Sequence, residues 1–373
     1  MNKLKVLELF GGIGACSKAL EKLGIDYEIA DYVEIDKYAV KSFNAIHNTN
    51  FEPQDITQWD KDIQVDLVMH GSPCQDFSLA GLQAGGDEGS GTRSSLMYET
   101  IRIVKKLKPK YVIWENVKNL LSKKHRHNFD SYLEIMENLG FQNYYQVLNA
   151  KDYGIPQNRE RVFTISIRND IGKEFIFPPK QELKLKLKDM LEDEVDEKYY
   201  LSEKMIKNIS VLGTKNFKNN DSKINLDIAR PLTSTMSKMH RAGADNYLCD
   251  ELPSNYDLSI PIKNATKKGY QEAFEGDSVN LAYPDSKTRR GRVGEQVSQT
   301  LQCNDIMGVV NNDLRIRKLT PKECWRLMGF DDEDFEKASK VNSNTQLYKQ
   351  AGNSIVVNVL MAIFKELLES KGE

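Results

Sequence analysis

The chain has 373 residues, 40% of them apolar and 28% charged, which is typical of a folded globular protein and excludes the disordered and collagen-like classes. At roughly 100–200 residues per domain, this length predicts two domains or one large domain with an insertion. The 52 basic and 54 acidic residues leave a net charge of −2, so the overall charge does not indicate a nucleic-acid partner.

Short apolar strands alternate with amphipathic helices in the first half of the chain. Strands are predicted at residues 6–10, 27–33, 65–70, 111–114, 145–148 and 162–167. Helices are predicted at residues 15–23, 37–47, 96–107 and 129–139. This alternation predicts an α/β fold with a doubly wound, mostly parallel sheet.

The pattern changes after Pro178-Pro179. From there to about residue 301 the periodicity is poor and basic and acidic residues are nearly balanced, so a second, irregular domain is predicted. A helix is then predicted over residues 320–330, with Thr320 as its N-cap. A strongly amphipathic helix is predicted over residues 354–368.

A glycine turn, Gly11-Gly12-Ile13-Gly14, follows the first strand. Glycines let a ligand approach the backbone, and the N–H groups at the start of the next helix can face that ligand. The second strand ends at Glu34, about 20 residues on, where a carboxylate can bind two ribose hydroxyls. The two features together predict a nucleoside ligand, and a tight turn without a ligand is the alternative.

Asp55-Ile56 follows the second helix and is a candidate to contact an adenine ring. For this pair alone, an ordinary aspartate cap of a turn is the stronger interpretation.

Reactive side chains follow the third and fourth strands. Cys74 directly follows Pro73 at the carboxyl end of a buried strand, where open parallel sheets bind ligands. It is a candidate nucleophile, because the thiolate is the reactive form of cysteine. An inert buried thiol is the alternative, and it suits the other cysteines better, namely Cys16, Cys249, Cys303 and Cys324. Glu115 ends the fourth strand at the same edge and is a candidate acid.

Arg159 and Arg161 precede the last strand of the first half. Alternate residues of a strand point to the same face, so both guanidinium groups are predicted to face one side. Paired guanidinium groups suit a phosphate or carbonyl oxygen, and a surface salt bridge is the alternative.

The order of these motifs resembles the cytosine-C5 DNA methyltransferase family, of the type with a Pro-Cys-Gln nucleophile. Phe-Gly-Gly-x-Gly, Pro-Cys-Gln, Glu-Asn-Val, Gln-x-Arg-x-Arg and a late Gln-Ala-Gly-Asn-Ser match in the family's order, between Leu7 and Leu368. Two residues depart from the family pattern: Ala15 stands where a glycine is frequent, and Ile35 where a tryptophan is frequent. Both keep the physical role of the residue that they replace.

The resemblance implies a Rossmann-like, S-adenosylmethionine-dependent methyltransferase that uses no metal. It would methylate C5 of a cytosine flipped out of a specific double-stranded DNA sequence, through a covalent adduct between Cys74 and C6. The implied catalytic residues are Cys74, Glu115, Arg159 and Arg161. The residues implied to bind the cofactor are Phe10, Gly12, Ile13, Gly14, Glu34, Ile35, Asp55, Ile56, Pro73, Leu96, Asn353 and Ser354.

The resemblance also implies a division of the chain. Residues 1–177 would form the catalytic and cofactor-binding domain, and residues 178–315 the target-recognition domain. Residues 316–348 would connect these to a C-terminal helix, residues 349–373, that returns to the catalytic domain. The basic run at residues 287–292 is expected to bind DNA phosphates, with a solvated charged loop as the alternative.

Two other functions are kept open. A tRNA cytosine-C5 methyltransferase would use the same chemistry, but the long irregular segment before Thr320 favours a reader of DNA sequence. A catalytically silent nucleic-acid-binding regulator is disfavoured by the presence of Cys74 and Glu115. A nicotinamide-dependent oxidoreductase is weaker still, since the glycine spacing does not suit a pyrophosphate.

The expected compartment is the cytoplasm. No apolar run approaches the roughly 20 residues that a membrane helix needs, and the N-terminus lacks the pattern of a secretory signal. The five cysteines form no Cys-x-x-Cys pair, which favours a reducing compartment over a disulfide framework. We expect a monomer with no membrane partner. The DNA sequence that it reads and a cognate restriction endonuclease are left open.

Overall fold

The structure is a computed structural model that describes residues 3–72, 96–199, 259–284, 286, 288–300, 307–310 and 316–368. The chain divides into two compact units. The first comprises residues 1–185, 300–303 and 321–373, and the second residues 186–299 and 304–320. The functional division of the chain at residues 177, 315 and 348 stays a prediction.

A six-stranded sheet forms the centre of the first unit. Its strands are β1 (Leu4–Leu9), β2 (Tyr27–Val33), β3 (Leu67–His70), β4 (Tyr111–Val117), β5 (Phe141–Asn149) and β7 (Glu160–Arg168), and the short β6 (Gln157–Asn158) precedes β7. The order across the sheet is β2-β1-β3-β4-β7-β5. The first four strands are parallel, and β7 runs antiparallel to both of its neighbours. The predicted α/β class with a mostly parallel sheet is confirmed.

Helices cover both faces of this sheet, because alternate side chains of its strands are buried on opposite sides. Four helices belong to the first half of the chain, α1 (Ala15–Lys22), α2 (Lys37–His47), α3 (Met97–Leu107) and α4 (Arg126–Asn138). Leu7 and Leu9 of β1 pack into one core with residues of α3 and α4. Glu8, between them, faces the other side and accepts a hydrogen bond from the backbone N–H of Ser17 in α1.

Four further helices complete the first unit, α5 (Pro321–Arg326), α6 (Asp332–Ser339), α7 (Asn344–Asn353) and α8 (Val357–Leu368). Two of them contact α1. Helix α8 packs against α1, and the buried ammonium of Lys18 lies 2.8 Å from the carboxylate of Asp334 in α6. Replacing only one partner of such a buried ion pair destabilises the fold strongly, because the other charge is left buried without its partner.

The structure corrects two predicted helices. The helix predicted over residues 320–330 ends at Arg326, because the chain turns at Gly329, whose φ of +82° is left-handed. The helix predicted over residues 354–368 begins only at Val357. Ser354 instead ends α7 with an extended backbone, ψ 161°, and α6 and α7 themselves were not predicted.

One stretch of the described chain, Asn344–Leu368, is long and apolar enough to cross a membrane by length and composition. This stretch differs from the prediction that no apolar run approaches the length of a membrane helix. It contains α7 and α8, and 56% of its apolar 18-residue window is buried inside the protein. The core helix of a soluble protein has the same properties, so the stretch is weak evidence for a membrane span.

The second unit contains short strands. They are β8 (Ile260–Lys263), β9 (Tyr270–Ala273), β10 (Ser278–Asn280), β11 (Val293–Gly294), β12 (Ser298–Gln299), β13 (Met307–Val310) and β14 (Ile316–Lys318). Four of them form a sheet in the order β11-β10-β13-β14, and β8 pairs with β9. A small apolar core includes Ile262, Val279 and Val310.

The fully buried Glu8 predicts a pH-dependent stability. Burial raises its pKa from 4.5 to about 7, although the hydrogen bonds from Ser17 lower it. At a pH between these two pKa values, Glu8 is ionised in the unfolded chain but still protonated in the folded chain. The free energy of unfolding therefore falls as the pH rises. We expect the free energy of unfolding to fall by about 2 to 3 kcal/mol from pH 5 to pH 8 through this group.

Urea unfolding at both pH values measures this effect. In Glu8→Gln the fall should be smaller by that amount, whereas Glu28→Gln, an exposed carboxylate on the neighbouring strand β2, should behave as the wild type. An equal pH dependence in Glu8→Gln and the wild type would contradict the assignment.

Candidate active site

The glycine turn between β1 and α1 has a left-handed backbone, which glycine adopts readily. Gly12 and Gly14 have φ values of +56° and +82°, and Phe10 before them is also left-handed at +53°. A Cβ at Gly14 would lie 2.3 Å from Nε2 of His47, whereas a Cβ at Gly12 would meet no atom within 4 Å. The space in front of Gly12 is therefore open to a ligand, and the turn is closed on the side of Gly14. Ile13 between them is buried.

Glu34 lies beside this turn. Its carboxylate accepts hydrogen bonds from the backbone N–H groups of Gly12, at 3.1 Å, and Asp36, at 2.9 Å. Burial raises the pKa of Glu34, and these two hydrogen bonds oppose that shift. Its neighbour Ile35 is 69% exposed, which leaves an apolar surface next to the carboxylate.

Three other residues predicted to bind the cofactor lie further along the chain, after α2 or immediately before α3. Asp55 is exposed and caps the turn Ile56–Gln58 by accepting the N–H of Thr57 at 2.9 Å. Ile56 is a member of the apolar core, with 4% of its surface exposed. Leu96 is the half-buried residue immediately before α3.

The end of α7 is held at the carboxyl edge of the sheet by Arg159. This guanidinium is 4% exposed and donates to the carbonyl oxygens of Gly352, at 3.1 Å, and Ser354, at 2.8 Å. Ser354 is buried, and Asn353 before it is exposed. Arg159 therefore positions the late Gln-Ala-Gly-Asn-Ser motif.

Side chains of the neighbouring strand β4 hold the chain segment that leads to Cys74. The indole N–H of Trp114 donates to the hydroxyl of Ser72 at 3.0 Å, and the side-chain amide of Asn116 donates to the Ser72 carbonyl at 3.4 Å. Pro73 and Cys74 lie outside the described residues. Sequence reasoning did not single out Ser72 or Trp114, because only the pairing of β3 with β4 brings them together.

Glu115 and Arg161 form an ion pair on the adjacent strands β4 and β7. The distance between Nε of Arg161 and the Glu115 carboxylate is 3.1 Å, and Glu115 is 9% exposed. A Cβ at Gly71 would lie 3.7 Å from this carboxylate, so the residue three positions before Cys74 is its neighbour. Burial raises the pKa of Glu115, and the positive charges of Arg161 and Arg159 only partly offset that rise. A carboxyl group in this setting can act as a proton donor.

One residue of the basic run that was expected to bind DNA is buried. Arg292, in the basic run at residues 287–292, is 1% exposed. Its guanidinium donates to the backbone carbonyls of Asn280, Ala282 and Tyr283. It therefore holds its own loop, whereas Arg290 of the same run is exposed and Lys287 lies outside the described residues. Phosphate binding by the exposed residues of this run stays a prediction.

Two of the other four cysteines lie in the described part of the chain. Cys16 and Cys324 are free and buried, and burial raises the pKa of both thiols, which agrees with inert cysteines. Cys249 and Cys303 lie outside the described residues. Within the described part of the chain, no three His, Cys, Asp or Glu side chains are grouped to hold a metal ion.

Comparison with known sequences gives one family across the chain. The profile of the C-5 cytosine-specific DNA methylase family matches residues 4–369. The type II methyltransferase M2.ScrFI of Lactococcus lactis subsp. cremoris is 34% identical over 423 residues, covering 99% of this chain and all of that protein. The orphan methyltransferase M.SPRI of Bacillus phage SPR is 35% identical over 435 residues, covering 99% of this chain and 98% of its own length.

Solved structures share the fold. The DNMT2 mutant structure from Spodoptera frugiperda covers 98% of this chain and all of its own, with a TM-score of 0.60 and 22% sequence identity. The DNA modification methyltransferase encoded within an Escherichia coli prophage covers 98% of both chains, with a TM-score of 0.58 and 18% identity.

Proposed function

The chain belongs to the C-5 cytosine-specific DNA methylase family and is a DNA cytosine-C5 methyltransferase, and from this we propose how it acts. It transfers a methyl group from S-adenosylmethionine to C5 of a cytosine extruded from a specific double-stranded DNA sequence, through an adduct between Cys74 and C6. The observation that carries the proposal is the ion pair between the buried Glu115 and the half-buried Arg161, beside the residues that lead to Cys74.

The residues around the glycine turn fit a sulfonium-bearing nucleoside. The open space at Gly12, the carboxylate of Glu34 and the exposed Ile35 offer backbone approach, an acceptor for ribose hydroxyls and an apolar face for a ring. Phe10 can accommodate the positive charge. When bound, S-adenosylmethionine supplies the electrophilic methyl group that C5 accepts. The other residues proposed to line it are Ile13, Gly14, Asp55, Ile56, Pro73, Leu96, Asn353 and Ser354.

Cys74 provides the reactive sulfur. Cytosine C5 is a poor nucleophile because its electrons are delocalised in the ring. Addition of the Cys74 thiolate to C6 interrupts this conjugation and makes C5 enamine-like. Loss of the C5 proton to a base, which can be water, and expulsion of the thiolate then restore the ring. Both faces of the ring must be accessible, so the base has to leave the duplex stack.

Glu115 and Arg161 act at the edge of the ring that carries N3 and O2. Attack at C6 places negative charge on N3 and O2. A protonated Glu115 donates its proton to N3, and Arg161 holds O2 with its guanidinium. Because burial raises the pKa of Glu115, more of it is protonated near neutral pH than in an exposed carboxyl group. Arg159 donates to the carbonyls of Gly352 and Ser354, and it is proposed to hold this chain segment at the edge of the pocket.

The remaining parts of the proposal concern recognition and context. Residues 178–315 are proposed to read the DNA sequence, and residues 349–373 to return to the catalytic domain after the connecting residues 316–348. The enzyme is proposed to act as a cytoplasmic monomer without a metal. Relatives include both type II and orphan methyltransferases, so a cognate restriction endonuclease is compatible with the proposal but not required by it.

Bisulfite sequencing tests the activity and identifies the target. A plasmid from cells that express the chain should contain 5-methylcytosine within one recurring sequence, and a plasmid from cells without it should not. Purified enzyme should transfer labelled methyl groups to plasmid DNA and not to bulk tRNA. Labelled tRNA with unmethylated DNA would support the tRNA alternative, and no transfer to either would contradict the proposal.

A further inference from the structure

Tyr32, near the end of β2, packs against the back of the glycine turn. Its side chain is fully buried, and its ring stacks on the ring of Phe43 in α2, with 3.7 Å between the two ring centroids. A Cβ at Gly11 would lie only 2.7 Å from Cε2 of Tyr32. The first glycine of the turn therefore leaves room for this ring, a role that the motif alone does not indicate.

The hydroxyl of Tyr32 holds the backbone of Gly12. It donates to the Gly12 carbonyl oxygen at 2.6 Å, and the N–H of Gly12 donates in turn to the Glu34 carboxylate at 3.1 Å. Gly12 has a φ of +56°, and glycine loses more conformational freedom on ordering than any other residue. The two hydrogen bonds restrict the peptide groups on both sides of Gly12, so the turn has its shape before a ligand binds.

The same contacts orient the carboxylate of Glu34. One of its oxygens accepts the N–H of Gly12, and the other accepts the N–H of Asp36 at 2.9 Å. A carboxylate has about four lone-pair positions, so both oxygens keep capacity for further donors. The direction in which this capacity points depends on the position of the Gly12 N–H, and therefore on Tyr32.

Packing does not explain the hydroxyl of Tyr32, because a phenylalanine ring could stack on Phe43 equally well. A buried hydroxyl costs free energy unless it forms a hydrogen bond, and the Gly12 carbonyl provides that bond. Burial raises the pKa of Tyr32 far above its ordinary value, and the negative charge of Glu34 adds to this shift. The hydroxyl therefore keeps its proton near neutral pH and can donate.

We propose that Tyr32 is a positioning residue for the nucleoside cofactor, which fixes Gly12 and, through it, the Glu34 carboxylate that receives the ribose hydroxyls. This inference rests on the proposed function, in which Glu34 binds the ribose of S-adenosylmethionine. Tyr32 lies buried behind the turn, so it acts through Gly12 and not by contact with the ligand. A preorganised site binds more tightly because less ordering remains to be done on binding.

Calorimetric titration of the full chain with S-adenosylhomocysteine, the demethylated form of the cofactor, tests the inference. In Tyr32→Phe the Kd should rise by about 2- to 10-fold, as expected for the loss of one hydrogen bond. In turnover with plasmid DNA, the KM for S-adenosylmethionine should rise while kcat stays unchanged.

Tyr153→Phe is the matched control. The hydroxyl of Tyr153, which is also buried, donates to a backbone carbonyl as well, that of Pro178 at 3.1 Å. Tyr153 follows β5, which forms the edge of the sheet opposite to β2. The control therefore loses the same kind of hydrogen bond far from the glycine turn, and its Kd should equal that of the wild type.

A second measurement separates positioning from a general loosening of the fold. The 2′-deoxyribosyl analogue of S-adenosylhomocysteine lacks one of the hydroxyls proposed to bind Glu34. The wild type should bind this analogue more weakly than the parent compound, and Tyr32→Phe should discriminate less between the two. Equal discrimination in both proteins would contradict an effect of Tyr32 through Glu34.

The outcomes separate this inference from the proposed function. A higher Kd in Tyr32→Phe, with an unchanged Kd in Tyr153→Phe, supports Tyr32 as a positioning residue. Equal Kd values in all three proteins, or equal losses in both variants, overturn this inference alone. A wild type that binds neither S-adenosylhomocysteine nor S-adenosylmethionine overturns the proposed function and this inference together. Thermal unfolding midpoints above the titration temperature establish that both variants are folded.

Discussion

Replacing Cys74 by serine should abolish methyl transfer to DNA, with a loss of about 10³-fold or more. A serine hydroxyl is not ionised near neutral pH and is a far weaker nucleophile than a thiolate, so addition to C6 should not occur. Incorporation of labelled methyl groups into plasmid DNA measures the loss. Thermal shift with S-adenosylmethionine should remain, because the residues proposed to bind it are unchanged.

A second measurement addresses the covalent step itself. Duplex DNA with 5-fluorocytosine at the target should trap the wild type as an adduct in mass spectrometry, since fluorine cannot leave as a proton does. Cys74→Ser should form none. Cys16→Ala is the matched control, because Cys16 is buried and burial raises the pKa of its thiol well above the ordinary range. Turnover retained in Cys74→Ser, or an active wild type that forms no adduct, would refute the assignment.

Replacing Glu115 by glutamine should lower kcat by about 10²–10⁴-fold, the range that a general acid contributes. Glutamine has nearly the same shape and can still hold the base by hydrogen bonds, but it cannot transfer a proton to N3. Single-turnover methylation at saturating DNA separates this chemical step from binding. We expect the loss in the rate of that step, with little change in cofactor affinity.

The pH dependence of the methylation rate is an independent test of the role of Glu115. The donor must be protonated, so activity that depends on it falls as the pH rises through its pKa. Burial raises that pKa above 4.5, which moves the falling limb towards higher pH. In Glu115→Gln this limb should be absent.

Glu137→Gln, an exposed carboxylate of α4, is the control for Glu115→Gln and should keep both the rate and the profile of the wild type. An unchanged falling limb in Glu115→Gln would assign that limb to another group. An unchanged rate would exclude Glu115 as the acid.

The sequence predicted well those features that depend on local patterns. Strand β2 and helix α2 have the predicted bounds, because alternation and helical spacing are properties of neighbouring residues. The left-handed turn at Gly12 and Gly14 follows from residue type in the same way. Helix ends were less accurate, as at Arg326, because they depend on turn geometry and on packing against other elements.

By itself, the sequence determined the α/β class, the family and the residue types of the candidate site, since each is encoded in short motifs and their order. Only the tertiary structure decided which side chains meet. It pairs Glu115 with Arg161 from two antiparallel strands, commits Arg159 to carbonyls almost 200 residues further along the chain, and buries Arg292 in its own loop. A motif specifies chemistry, whereas strand register and burial set distance, charge state and exposure, and these depend on contacts between residues far apart in the chain.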